Sequence, residues 1–460
     1  MSHTQSDKAR RIARYCLAAR GAKLAPETVH EVKRRTLDSV ATALGAWQTP
    51  VAAAAVRTAA NLAPVGEKPA QVMGTARGSV LEYAAFANAT MVRTLDYNDT
   101  YLAKEPAHPS DNIAAVLATA QVFGNSGADA VLGVANAYEV QCRLCDANSL
   151  RAKGIDHVTY GNISAAASCG VMMGMDEDHI THALGIAGVA HTAIRQTREG
   201  EMANWKAAAF ANADRNALFA LRAVRSGFTG PTPIFEGVKG LEAVLTGAFD
   251  LVLPQDGEAP AMILKTYIKP APVEYHAQSA VEVAAKMHRE GIDWRRIARI
   301  RIRTHKASYE IIGRSPEKWD PMSKETADHS LPYCAAIALI DGPVTLASFG
   351  EKKYRDPEIL AFLKKIEVVE DPEFTAIYGD GFANHLRVEM QDGTVREGES
   401  RYPLGHPKNP MTDAQIEGKF RELADGLLAK AEQDAFIARC WRMESLANLD
   451  GFYPSFEGKF

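Results

Sequence analysis

Most of the features that would assign a chemistry at sight are missing from this chain. Its 460 residues hold no charge-free apolar run of the roughly 18 residues a membrane span needs, so no transmembrane helix is expected. A formal charge of −4 supplies no basic field, which argues against nucleic acid as the main partner. There is no glycine-rich phosphate loop and no short-period repeat. The 6 cysteines lie far apart, apart from Cys142 and Cys145 in EVQCRLCDAN. No second C-x-x-C or H-x-x-x-H completes a zinc site, and the spacing of an iron–sulfur cluster is absent. Two thiols at i, i+3 on a helical stretch read more simply as buried core. No metal and no cofactor is expected.

The start of the chain, MSHTQSDKARRIARYCLAARG, is charged and amphipathic, with no continuous apolar core of the kind a secretory signal carries. Its arginines could mimic a mitochondrial presequence. Asp7 and the helix pattern that follows favour a structural helix, and the cytoplasm is the expected location. What remains is ordinary for a soluble globular protein: 47% hydrophobic and 23% charged residues, with length enough for two or three domains.

Residues 8 to about 260 read as successive helices, with apolar residues at helical spacing in TVHEVKRRTLDSVATALGAW and NALFALRAVRSG. Gly227 is placed to close the latter. Near Ile263 the composition shifts. ILKTYIKPAP is extended, SAVEVAAKMHREG is helical, and Ala298–His305 (ARIRIRTH) alternates like a strand. HLRVEMQDGTVREGE reads as a hairpin with Asp392-Gly393 as a two-residue type I′ turn. Thr412 to Gln415 forms a capping box that opens a final helix through about Leu449. The expected fold is mainly α. A large helical domain (residues 1–264 and 406–460) carries a smaller α+β domain (265–405) inserted before the C-terminal helices.

Polar clusters interrupt this apolar background in four places. The densest is LDYNDTYLAKEPAHPSDN, Leu95 to Asn112, which holds Asp96, Thr100, His108 and Ser110 between two alanine-rich segments. Its Pro-Ser-Asp reads as a helix start capped by Ser110 or Asp111, with His108 on a short connector where an anion is welcome. The second, KGIDHVTYGNIS, carries His157, Thr159 and Tyr160. In the third, REGEMANWKAAAF, Lys206 enters a nearly uncharged helix with Arg195, Arg198 and Arg215 nearby. The fourth comprises KTYIKPAPVEYHAQS, with Lys269 and His276, and KETADHSLPYCAAIALIDG, with Tyr333. Singly each has a bland reading: a solvated loop, a satisfied core histidine, a snorkelling lysine, a packed tyrosine. Jointly they suit removal of a proton alpha to a carboxylate, which needs a base, an acid for the leaving hydroxyl and cations for the developing charge.

Taken in order, LDYNDTYLAKEPAHPSDN, DHVTYGNIS, the Trp205-Lys206 helix start, KTYIKPAPVEYHAQS and TADHSLPYCAAIAL resemble the MmgE/PrpD family. The resemblance implies a helical domain with a smaller lid-like domain, a homodimer, and cofactor-independent chemistry on small polycarboxylates. Carried over, it makes Asp96, Thr100, His108, His157, Lys206 and Tyr333 the catalytic candidates. Lys269, His276, Arg195 and Ser110 become candidate substrate contacts. The Lys104-Glu105-Pro106 insert, the HPSDN ending and TADHSLPY look like the branch that dehydrates 2-methylcitrate in propionate breakdown. The expected activity is therefore loss of water from 2-methylcitrate or a close tricarboxylate such as citrate. A decarboxylase of the cis-aconitate type or an epimerase of the same family is the alternative. More remote readings are a non-catalytic helical scaffold and a metal hydrolase built on Asp96, Asp99, His108 and Asp111.

Overall fold

The computed structural model describes residues 7–198 and 203–456. Residues 199–202, within the third polar cluster, and 1–6, within the amphipathic start, lie outside the described residues. The protein is mainly α-helical, with one substantial sheet. It divides into a larger unit, residues 1–266 with 412–460, and a smaller one, 267–411.

Among the described residues the larger unit begins with nine α-helices: α1 (Lys8–Ala18), α2 (Pro26–Ala46), α3 (Pro50–Ala59), α4 (Leu81–Thr94), α5 (Ile113–Phe123), α6 (Gly127–Ala147), α7 (Val158–Met172), α8 (Glu177–Ala190) and α9 (Trp205–Arg225). Their ends follow local chemistry. Pro26 fits the first turn of α2, where its missing N–H costs nothing. Ser126 and Asp129 form a reciprocal capping box on α6. Gly227, at φ 99°, sits just past α9 as expected. α4 packs on α9 and α2, and α7 packs between α6 and α9, so the loops after α4 and before α7 and α9 gather at one place.

Two expectations fail here for lack of helix-compatible sequence. Beyond Ser226 the chain is largely irregular as far as Ala261, because Gly and Pro recur through GPTPIFEGVKG and LPQDGEAP; Glu242–Thr246 forms a single π-helical turn. The final helix breaks at Asp425 and Gly426, the latter at φ 72°, giving Asp413–Ala424 and Lys430–Trp441 instead of one rod. The Thr412–Gln415 capping box does form.

In the smaller unit four strands lie in the order Ile366–Glu370, Ile297–Thr304, Asn384–Met390, Val395–Ser400. The first pair is parallel and the others antiparallel. Ile300 and Ile302 face a core shared with the helices Gln278–Arg289 and Leu331–Asp341, while Arg299 and Arg301 face solvent. The hairpin turn is not the expected type I′. Asp392 has no positive φ, and Gly393, at φ 85°, closes a three-residue loop in which Met390 N–H donates to the Thr394 carbonyl and Gly393 N–H to the Met390 carbonyl. A type I turn followed by a left-handed glycine spares Asp392 the strained conformation.

Candidate active site

The site starts at the C-terminal end of α4. Arg93 occupies its last turn and is buried, and Asp96 follows at φ 51°, the one non-glycine residue with positive φ among the described residues. Such a conformation costs about 1–3 kcal/mol and persists where surroundings enforce it. Here Arg93 Nη1 donates to Asp96 Oδ1 at 2.7 Å, and Lys206 Nζ, from the first turn of α9, lies 3.4 Å from Asp96 Oδ2. Lys206 keeps 13% of its side chain exposed, so its charge meets the carboxylate without being fully cut off from solvent.

The other edge of Arg93 holds His108. Arg93 Nη2 is 3.0 Å from His108 Nε2, and His108 Nδ1 is 2.7 Å from the Asp99 carbonyl oxygen and 3.0 Å from the Thr100 hydroxyl. A guanidinium has no acceptor, so Nε2 presents its lone pair to Arg93 and Nδ1 carries the proton toward Asp99. One arginine thus fixes both the acid and the tautomer of the histidine.

His157 lies beside this group, its ring centre 5.9 Å from that of His108. It precedes α7, with Nδ1 3.1 Å from Asp156 Oδ1, while Arg198 Nε donates to the other Asp156 oxygen at 2.8 Å. His157 Nε2 is buried without a hydrogen-bond partner among the described residues. Burial, reinforced by Arg198, Arg93 and Arg195 and opposed by Asp156, pushes His157 down to about 3. It is neutral, with its proton toward Asp156 and a lone pair on Nε2.

Beneath these groups lies a buried polar layer. Asp99 accepts from the Tyr138 hydroxyl at 2.7 Å and the Ser110 N–H at 3.0 Å, with Arg35 Nε 3.6 Å away. Asn98 Nδ2 donates to Ser110 Oγ at 2.9 Å and Asp111 Oδ1 at 2.7 Å. Burial pushes Asp111 up to about 7, with Asp99 adding to the rise and Arg93 opposing it. The expected helix cap is absent. Pro109–Asn112 is a single 3-10 turn with no side-chain cap, because Ser110 and Asp111 are committed to Asn98.

The smaller unit has its own polar cluster. Glu274 Oε1 is 2.7 Å from His276 Nδ1, and His276 Nε2 is 3.2 Å from the Tyr378 hydroxyl. Lys269 is buried close by. Against the cost of burial, His276, His329 and Lys269 pull Glu274 down to about 2, so it is ionised.

Comparison with known proteins now bears on this arrangement. Residues 10–253 match the MmgE/PrpD N-terminal domain and residues 271–443 the MmgE/PrpD C-terminal domain. The chain belongs to the MmgE/PrpD family. Among relatives of this MmgE/PrpD protein, the 2-methylcitrate dehydratase of Cupriavidus necator is 33% identical over 390 residues, covering 77% of each chain. The probable 2-methylcitrate dehydratase of Saccharomyces cerevisiae is 29% identical over 374 residues, 75% of this chain and 71% of its own. The 2-methylcitrate dehydratase-like protein oryR of Aspergillus oryzae is 27% identical over 400 residues, 79% of each.

Of the residues singled out from sequence in this MmgE/PrpD chain, Asp96, Thr100, His108, His157 and Lys206 gather around Arg93, and Arg195 lies near enough to act on His157. Ser110 is fully buried beside this group, with its Oγ accepting from Asn98 and its N–H donating to Asp99. Tyr333 belongs to the smaller unit. It is fully buried in the core of the smaller unit, packs on Phe349, and donates its hydroxyl to the Ser348 carbonyl at 2.7 Å. The capping run Ser-Leu-Pro that precedes it buries the first turn of its helix, which carries Tyr333 inward. Arg93 and Asp156 were missed. An arginine three residues before Asp96 on an otherwise apolar helix was the available signal. Cys142 and Cys145 are buried, and burial pushes both thiols well up, as inert core cysteines require.

Proposed function

We propose that the protein is a cofactor-independent hydro-lyase that removes water from 2-methylcitrate or a closely related tricarboxylate such as citrate. The carrying observation is the group Arg93–Asp96–His108–Lys206 beside a neutral His157 whose Nε2 has no partner among the described residues. Elimination needs a base for the proton alpha to a carboxylate. His157, oriented by Asp156 through Nδ1, has that lone pair to offer. Its low proton affinity comes first from burial and then from Arg198, Arg93 and Arg195. A substrate carrying about three negative charges offsets those cations and raises it. Lys206 stabilises the carboxylate next to the departing proton, where charge grows in the transition state. His108 and Thr100 are proposed to hold the leaving hydroxyl, and the proton it needs to depart as water is the one taken up by His157 Nε2, because His108 Nδ1–H is committed to the Asp99 carbonyl. The names of the relatives support 2-methylcitrate as the first substrate to test. Lys269, His276 and Arg195 remain in the proposal as carboxylate contacts.

Purified protein incubated with 2-methylcitrate in EDTA tests this, following the unsaturated product by ultraviolet absorbance. Turnover that survives EDTA is expected. Loss of activity restored only by iron overturns the metal-free reading, and CO2 release from cis-aconitate without dehydration overturns the dehydratase. A scaffold reading requires dispersed site residues and is disfavoured by their convergence on Arg93. A hydrolase reading requires carboxylates open to a metal, whereas Asp99 and Asp111 are engaged with Tyr138, Ser110 and Asn98.

We also propose a homodimer in the cytoplasm. Val189, Ile194, Trp205, Phe219, Phe228 and Val238 are exposed, and burying such apolar side chains against a second copy would favour association. Light scattering at the mass of one 49.8 kDa chain overturns the dimer.

A further inference from the structure

The strained turn at Asp96 has a brace, and it comes from the far end of the sequence. Lys419, on the helix Asp413–Ala424, is buried, and its Nζ donates to the Tyr97 carbonyl oxygen at 2.8 Å. The same ammonium lies 2.7 Å from Asp38 Oδ1 on α2 and sits 3.6 Å from the centre of the Tyr97 ring. Four residues on, along the same face of that helix, Leu423 closes on Gly45, as Leu95 does. A Cβ on Gly45 would come within 2.7 Å of Leu423 and 3.0 Å of Leu95, so a glycine is what lets the three approach. Leu95 and Tyr97 flank Asp96, and one helix fixes both.

We propose that Lys419, held by Asp38, is a positioning residue for Asp96. A buried lysine is costly unless its charge is used. This one is used to anchor the carbonyl of Tyr97, the residue after the one with φ 51°. Without the anchor, the Tyr97–Asn98 peptide is untethered, the torsions of Asp96 and Tyr97 can adjust together, and Asp96 relaxes to negative φ, swinging its carboxylate away from Arg93 and Lys206. The inference rests on the reading of Asp96 as part of the site. Lys419 itself touches neither substrate nor reacting atoms.

Lys419→Met, which keeps the aliphatic stem, is expected to lower kcat by about tenfold to a hundredfold, the scale of an ångström-sized misplacement. In an Asp96→Asn background the same change should have no further effect, since the group it positions is gone. A crystal structure of Lys419→Met should show Asp96 out of the left-handed region. Asp38→Asn is the second variant if Lys419→Met fails to fold, with the same expectations at smaller size. An Asp96 that stays near φ 51° with kcat unchanged, or losses that multiply in the double variant, overturns the positioning role. If Asp96→Asn turns over like the parent, the site assignment is what fails, and the Asp96 backbone in the Lys419→Met structure then decides the brace by itself.

Discussion

Each unit of the molecule contains a carboxylate–histidine pair, and the two pairs do opposite things with the same contact. In the larger unit Asp156 faces His157 Nδ1 at 3.1 Å, and in the smaller Glu274 faces His276 Nδ1 at 2.7 Å. Around His157 stand Arg198, Arg93 and Arg195, which together with burial keep the ring neutral. Its Nε2 is without a hydrogen-bond partner among the described residues. Around Glu274 stand His276, His329 and Lys269, which hold the carboxylate ionised, and His276 Nε2 is met by the Tyr378 hydroxyl. The pairing orients a ring. What meets the far nitrogen sets the two apart: His157 Nε2 has its lone pair to offer, while His276 Nε2 is held by Tyr378. The first pair suits a base, and the second suits a fixed polar wall.

Glutamine at each histidine breaks this comparison with the largest effect. His157→Gln keeps a hydrogen-bonding side chain but removes the basic nitrogen, and kcat should fall by about 10²–10⁴. His276→Gln should act mainly on KM. Steady-state kinetics of the two variants check this, and equal kcat losses would mean that the two pairs share one role.

Next in size is Lys206→Met, which preserves length and packing while deleting the charge beside Asp96. Removing one such electrostatic contact typically costs about 10²–10³ in rate, so kcat should fall by that order with the fold retained by circular dichroism. A lysine that merely snorkels predicts a stability change under about 0.5 kcal/mol and unchanged kinetics.

A smaller effect concerns stability rather than rate. Asp111 is raised from 3.8 in its ordinary state to about 7 in the fold, chiefly by burial. Between those values the folded chain holds a proton that the unfolded chain has released, so this contribution is present below about pH 4 and lost as pH rises through 7. Asp111→Asn should flatten that part of the stability profile. Urea unfolding across pH 4–8 measures it, and an unchanged slope would show that Asp111 is ionised in the fold.

Much of this was legible because polar residues stand out against alanine-rich helices. The 95–112 cluster, the DHVTY run and the lysine at the start of α9 announce themselves by what surrounds them, and helix packing then brings them together. Arg93 was hidden because it sits inside the apolar run of α4, where an arginine passes for a surface residue. Lys419 was hidden by distance, since no local pattern tells that a lysine near the C-terminus reaches the Tyr97 carbonyl. Asp214 shows the same limit. It sits in the middle of α9, fully buried, with neither oxygen hydrogen-bonded among the described residues, and burial with Asp111 nearby raises it well above the carboxylate range. Sequence periodicity shows which residues face inward, but it does not show whether an inward polar group is used, braced or simply neutralised.

Tyr333 is where that limit is sharpest, and it yields the smallest expected effect. Motif resemblance makes it catalytic, while the fold puts its ring among Phe349 and the core of the smaller unit with its hydroxyl on the Ser348 carbonyl. Burial raises its proton affinity further, which makes phenolate chemistry there unfavourable. Tyr333→Phe removes one hydroxyl and leaves the Ser348 carbonyl without that donor. The cost should be about 1–2 kcal/mol of stability, the range for a buried acceptor deprived of its partner. kcat and KM should stay at parent values. A loss of about 10² or more in kcat, with stability intact, would return Tyr333 to the reacting centre and require the smaller unit to open its core during turnover.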